Sequence, residues 1–151
     1  MRKPKTPPPL LAIAVGIGIW LISNSPVAVP FTFAFSDNLA RIAGAVGIAV
    51  AVLGLVQFRK HRTTIDPLNP GKASSLVTDG VFAVTRNPMY LGMLIVLLAF
   101  GLLQGTLTGM AFAFVFVPII NALQIEPEEQ AMHALFGDAF RDYCQRTRRW
   151  L

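Results

Sequence analysis

The chain has 151 residues, of which 54% are hydrophobic and only 14% charged. An average soluble domain carries roughly 25% charged residues, so an ordinary water-soluble fold is excluded. The net charge is +5, but the basic residues sit in short stretches beside apolar runs and lack interleaved aromatics, which suits anionic lipid headgroups and argues against nucleic acid.

A single cysteine, Cys144, leaves no internal disulfide or cysteine-rich metal site. His61 and His133 stand in different segments without a second ligand at metal spacing, so no metal is expected. The basic start precedes an apolar run that is too long for a signal-peptide core and lacks a small-residue cleavage site; it is expected to remain as a membrane anchor.

No charge occurs from position 6 to 36, a stretch longer than the ~20 residues that cross a bilayer. Residues 10–22 carry the first predicted helix. Ser23, Asn24, Ser25, Pro26 and Pro30 then signal an irregular exit, with Phe31, Phe33 and Phe35 suited to the interface. Asp37 and Asn38 are expected to cap a second helix running to about Phe58. Gly44, Gly47, Ala51 and Gly54 recur along one face of it, the spacing that lets membrane helices approach closely. Arg41, near its start, is expected to snorkel outward.

Basic residues 59–62 close this span, and a long loop follows over 63–87. Its apolar residues Leu76, Val77, Val81, Phe82 and Val84 argue against disorder. Pro88 suits the first turn of a helix. The next charge comes only at Glu126. One helix of that length would overshoot the bilayer, so Gln104, Gly105 and Thr106 are read as the turn of a hairpin of two spans. The chain ends in a basic amphipathic stretch, 130–151, with Met132, Leu135, Phe136, Phe140 and Tyr143 at helical spacing.

All Lys and Arg residues except Arg41 fall in the N-terminal tail, the 59–87 loop or the C-terminal stretch. The positive-inside rule then predicts an all-α polytopic protein of about four transmembrane helices with both termini cytoplasmic, a bacterial inner membrane being the expected location. The chain reads as one membrane domain, with a two-helix anchor over 1–62 and a core over 63–151.

Two clusters on that face carry possible chemistry. All the glutamates, Glu126, Glu128 and Glu129, lie together where the apolar run stops; near an apolar phase such charges require partners, either basic side chains of the C-terminal stretch or a cationic ligand. Arg86, Asn87, Pro88, Met89 and Tyr90 place hydrogen-bonding groups at a helix start whose first amides are unpaired, where a carboxylate could bind.

The order of these pieces resembles a known family. Residues 75–82 (Ser-Leu-Val-Thr-Asp-Gly-Val-Phe), 86–92 (Arg-Asn-Pro-Met-Tyr-Leu-Gly), an apolar hairpin, Glu128-Glu129, Phe136-Gly137 and Arg149-Trp150 are similar to the isoprenylcysteine carboxyl methyltransferase and phospholipid methyltransferase superfamily. The resemblance covers about 63–150. It implies S-adenosylmethionine-dependent methyl transfer to a membrane lipid or lipophilic small molecule whose acceptor group is a carboxylate, an amine or a thiol.

It also implies a cofactor site of Ser74, Ser75, Leu76, Val77, Phe82, Asn87, Pro88, Met89, Tyr90 and Glu128. Glu128 and Glu129 are then the catalytic candidates, Glu129 being the nearest base for an amine. Asn87 stands where many members have His. Gln124, the expected substrate-binding residue, stands where prenylcysteine carboxyl methyltransferases carry Arg. A non-catalytic four-helix membrane protein that binds lipid or a partner through its basic segments is the alternative.

Overall fold

The computed structural model describes residues 6–61 and 74–151. The part of the expected loop that falls in 62–73 lies outside the described residues. Among those described, the architecture is all-helical, with one isolated antiparallel bridge between Pro30 and Thr106.

Helix α1 (Pro8–Ser23) begins on prolines, whose absent amide hydrogen costs nothing in a first turn. Helix α2 (Ser36–Lys60) starts at Phe35, with no side-chain cap. Asp37 and Asn38 therefore do not cap it. The chain turns in through Ser36 N donating to Phe33 O at 3.0 Å, which leaves Asp37 inside the first turn, where its charge favours the helix dipole.

Two segments, Ser36–Lys60 and Leu107–Arg146, are long and apolar enough to cross a membrane. Only 17% of the apolar window of α2 is buried, too little for the core helix of a soluble protein. Residues such as Ile42, Ile48 and Val52 point outward, and Arg41 is exposed.

Helix α3 (Pro88–Leu103) lies along α2. The small-residue face is where they touch: a Cβ on Gly47 would sit 2.7 Å from the Gly92 carbonyl oxygen, and one on Gly92 would sit 2.8 Å from the Ala51 Cβ. No side chain other than hydrogen fits between these backbones, and close contact replaces the hydrophobic drive that lipid cannot supply.

The turn at 104–106 forms as expected. Thr106 caps the next helix by accepting from Gly109 N at 3.2 Å and meets the Ser23 hydroxyl at 2.6 Å. The 24–35 connector pairs with the turn through Phe31 N to Gly105 O and Leu107 N to Val29 O, so backbone groups at this end are satisfied.

The returning arm is not one continuous α-helix. It is divided into α4 (Leu107–Ala113), α5 (Phe116–Ile120) and a π-helical turn, Asn121–Ile125. Pro118 explains the first break, because a proline ring clashes with the carbonyl four residues earlier. That carbonyl belongs to Phe114, and it accepts instead from Val117 N at 3.1 Å, one residue short of α-helical spacing. The π turn closes through Glu126 N to Asn121 O, immediately before Pro127.

Helix α6 (Glu126–Arg146) is broken by Gly137, at φ 50° and ψ −120°. The C-terminal stretch is thus two helical pieces and an extended tail from Thr147, in place of one amphipathic helix over 130–151. Phe140 and Tyr143 are buried and Met132 and Phe136 half-buried, whereas Leu135 faces out.

Two apolar clusters result. One joins α1, α3, α4 and α5 around Ile19, Leu97, Phe116 and Ile120. The other packs Val77 and Phe82 from the loop against Phe140 and Tyr143 of α6. The loop is therefore an ordered wall over the described residues, although Val84 is exposed.

Candidate active site

The end of the loop, the first turn of α3, the start of α6 and the C-terminal tail converge. Pro88 starts α3, with Asn87 at φ −129° and ψ 57° and no side-chain cap bond. Freed from capping, the Asn87 Nδ2 donates to Arg149 O at 2.9 Å, and its backbone amide donates to Thr85 Oγ1 at 3.2 Å. Arg86 N donates to Arg148 O at 3.0 Å. The tail is stitched to the loop in this way.

Glu129 is the electrostatic hub. It receives Arg86 Nη2 at 2.8 Å and Arg149 Nη2 at 2.5 Å, while Arg86 Nη1 also donates to Thr147 O at 2.6 Å and Cys144 O at 3.2 Å. Arg86 and Glu129 are largely buried, at 13% and 17% side-chain exposure, so these charge-assisted bonds act where water screens little. Burial would raise the Glu129 carboxyl, but the hydrogen bonds and charges of Arg149 and Arg86 win and hold it below the usual carboxylate range.

Glu128 differs. Its Oε1 accepts from the Tyr90 hydroxyl at 2.6 Å, and among the described residues no guanidinium reaches it. Burial pushes its carboxyl up to about 7; the Tyr90 hydrogen bond opposes this rise, and the neighbouring Glu129 charge adds to it. Two adjacent carboxylates are thus separated by environment into one fixed anion and one group poised near neutrality.

The other expected positions divide into four groups. Pro88 and Met89 face α2 at Gly54. Val77 and Phe82 belong to the second apolar cluster, with Phe82 stacked edge-on to Phe58 at 5.0 Å; Leu76 is half-buried against the same cluster. Ser75 donates to His61 O at 3.2 Å, and Ser74 is exposed. Tyr143 joins this wall to α6 by donating to Phe82 O at 2.6 Å, and burial raises its hydroxyl well above the ordinary tyrosine value. Gln124 is fully buried in the π turn, and its Nε2 donates to Thr6 O. The structure brings Tyr90 to Glu128 and Asn87 to the tail, but it leaves the 74–77 segment and Gln124 in separate surroundings.

For several residues that the sequence singled out, the contacts they make in the site were not expected. Arg86 reads in sequence as an interfacial cation facing headgroups; its role as a clamp depends on a tail more than fifty positions away. Arg149 was legible only as one of several basic residues near the glutamates. Trp150 Nε1 donates to Asn121 Oδ1 at 3.2 Å, a contact that nothing in the local pattern signals.

A family model described as phospholipid methyltransferase matches residues 39–139. An uncharacterized protein of Haemophilus influenzae is 41% identical over 63 residues, which is 42% of this chain and the whole of that relative. No solved structure matches. The match runs from α2 through the loop, the hairpin and the Tyr90–Glu128 pair, and the chain belongs to the phospholipid methyltransferase family, a family of methyl-transferring enzymes.

Proposed function

We propose that this chain transfers a methyl group from S-adenosylmethionine to a lipophilic acceptor at the cytoplasmic face of a membrane. The observation that carries the reading is the Tyr90–Glu128 pair, a half-buried carboxylate that has no cationic partner among the described residues, at the mouth of an apolar helix. A half-buried carboxylate with no cation beside it among the described residues is the arrangement expected of a site that receives a cationic ligand.

The residues fit such a cofactor. Glu128 Oε1 takes the Tyr90 hydrogen, and among the described residues Oε2 has no hydrogen-bond partner, so a carboxylate oxygen remains for a positive group. When bound, the cofactor supplies an electrophilic methyl group on a positively charged sulfur. Tyr90 holds the carboxylate in place, and Asn87, Pro88 and Met89 form the adjacent helix start. Ser74, Ser75, Leu76, Val77 and Phe82, and the buried Gln124, stand in separate surroundings from the Tyr90–Glu128 pair; the family resemblance alone proposes them as cofactor and substrate contacts.

Methyl transfer is mainly a matter of alignment and exclusion of water, so no nucleophilic triad is required. A carboxylate acceptor needs no base. An amine or thiol acceptor must lose a proton, and Glu128 is the better recipient: a base works best with a value near the operating pH, whereas Glu129 is locked as an anion by two arginines. Glu129 is then a positioning residue that ties α6 to the loop and tail.

The topology proposed with this function has four spans and both termini on the cytoplasmic side of a bacterial inner membrane, as one domain with a 1–62 anchor and a 63–151 core. Calorimetry with S-adenosylmethionine on the purified protein in nanodiscs tests the reading. Saturable binding, followed by mass spectrometry of lipids methylated from labelled donor, is the expected result. Without binding, the enzyme reading fails, and a non-catalytic protein that uses its basic segments to bind lipid or a partner takes its place.

A further inference from the structure

The two adjacent glutamates of the site come just after the π-helical turn Asn121–Ile125, which closes through Glu126 N to Asn121 O. Such a turn holds one residue more than an α-helical turn, and each residue of an α-helix advances the chain by about 100° and 1.5 Å. Everything beyond the turn is therefore set back by one place. Were 121–125 α-helical, Glu128 would stand where Glu129 now stands, before Arg86 and Arg149, and Pro127 would face Tyr90. Glu129 would move to the exposed place of Gln130. We propose that Trp150 is a positioning residue: by its bond to Asn121 it holds the π turn, and so selects which glutamate meets Tyr90.

Three observations support this role. Trp150 Nε1 donates to Asn121 Oδ1 at 3.2 Å, on the first residue of the turn, and its ring packs on the apolar cluster that contains Ile120 and Ile125. Second, the tail grips the helix on both sides of the turn, because Arg149 holds Glu129 beyond it while Trp150 holds Asn121 at its start. Arg149 O is itself tied to the base of α3, by Asn87 Nδ2 at 2.9 Å and Thr85 Oγ1 at 3.3 Å. The grip is thus fixed relative to the helix that carries Tyr90. Third, Pro127 favours the turn from within. It has no amide hydrogen for Leu123 O, and its ring would clash with that carbonyl in a continuous α-helix.

A restraint is needed because the turn has an alternative close in energy. Glu126 N, the α-helical donor to Ala122 O, is spent on Asn121 O, so the π form forgoes about one backbone hydrogen bond. The Trp150–Asn121 bond is an interaction of the same order. Removing it, and giving position 127 an amide hydrogen, tilts the balance toward the α-helical turn.

The inference rests on the methyltransferase reading only in treating the Tyr90–Glu128 pair as the cofactor site. The test uses the full chain in nanodiscs. Trp150→Phe keeps a ring in the cluster but loses the donor; joined with Pro127→Ala, it should release the turn. Two readouts apply. One is S-adenosylmethionine affinity at about pH 8 by calorimetry; the other is the infrared band of the protonated carboxyl that Glu128→Gln removes, titrated through about 7. In the released protein the affinity should fall about tenfold or more, toward that of Glu128→Gln, and the band should fade as Glu128 moves before the arginines. Deleting Ala122 from the released protein takes out the surplus residue, so that an α-helical turn returns both glutamates to their present places. Band and affinity should then recover to the wild-type level. A role in packing alone predicts no recovery, because a deletion repairs no lost contact. A released protein with the wild-type band, or a deletion that restores nothing, whether folded or not, overturns the inference. If Trp150→Phe fails to fold, Asn121→Leu removes the same bond from the other side, and the same outcomes decide. A band that fades and returns without cofactor binding sinks the methyl-transfer reading alone, and cofactor binding with a band indifferent to release sinks the positioning role alone.

Discussion

Glu128→Gln gives the sharpest test of the proposed cofactor site, because it predicts a pH dependence and its loss. Burial raises the Glu128 carboxyl to about 7 in the free protein, so the group is mostly neutral below that value and mostly ionised above it. A cationic ligand needs the ionised form. The sign therefore runs toward tighter binding as pH rises, with the gain complete above about pH 8. From about pH 6 to 8 the ionised fraction rises from roughly one-tenth to nine-tenths, an approximately tenfold gain in affinity, or about 1.4 kcal/mol.

The Glu128→Gln variant keeps an acceptor for the Tyr90 hydroxyl but cannot ionise. It should bind S-adenosylmethionine about tenfold to a hundredfold more weakly at about pH 8, matching the roughly 1.5–3 kcal/mol of a hydrogen bond to a charged group. Its affinity should be flat across this range. In Tyr90→Phe, the interaction that lowers the carboxyl is gone, so the midpoint should move upward. Isothermal titration calorimetry over this pH range in nanodiscs reads all three proteins. Wild-type affinity that stays level across the range, or a Glu128→Gln variant with the wild-type slope, refutes the reasoning.

Three further outcomes follow from the packing. Arg86→Lys loses the planar fork that serves Glu129, Cys144 O and Thr147 O together, and a point charge cannot replace it; thermal unfolding in detergent should show a loss of about 2–4 kcal/mol, the lower part of the range for breaking a buried pair being likewise expected of Glu129→Gln. Gly47→Val drives a side chain into the Gly92 carbonyl, where even a Cβ would be at 2.7 Å; forcing α2 from α3 should cost at least about 2 kcal/mol and lower the unfolding temperature, while Val46→Ala on the exposed face changes little. Tyr143→Phe leaves the Phe82 carbonyl without its donor; a cost of about 1–2 kcal/mol is expected, with faster amide exchange confined to 80–85.

By itself the sequence determined the class of environment and the coarse order of parts. Charge-free runs bounded by basic clusters imply apolar helices in a membrane, because unpaired charge and bare backbone are both costly in hydrocarbon. The glycine face of α2, the turn at 104–106 and the helix start at Pro88 were legible for similarly local reasons: each depends on the size or backbone freedom of a residue at its own position. The breaks at Phe114 and Gly137 were less legible, since a proline or glycine signals a possible interruption without stating how neighbouring turns absorb it.

What only the tertiary structure decided is how the two glutamates differ. In sequence Glu128 and Glu129 are equivalent neighbours, and Glu129 looked like the nearer base. Folding carries Arg86 and Arg149 to one and Tyr90 to the other. Those partners come from three distant segments, and a carboxylate takes its protonation from the charges and burial around it, not from its own identity. The same holds for Asn87, a helix cap by local pattern, whose amide is drawn away by the Arg149 carbonyl because the tail returns to cover the loop.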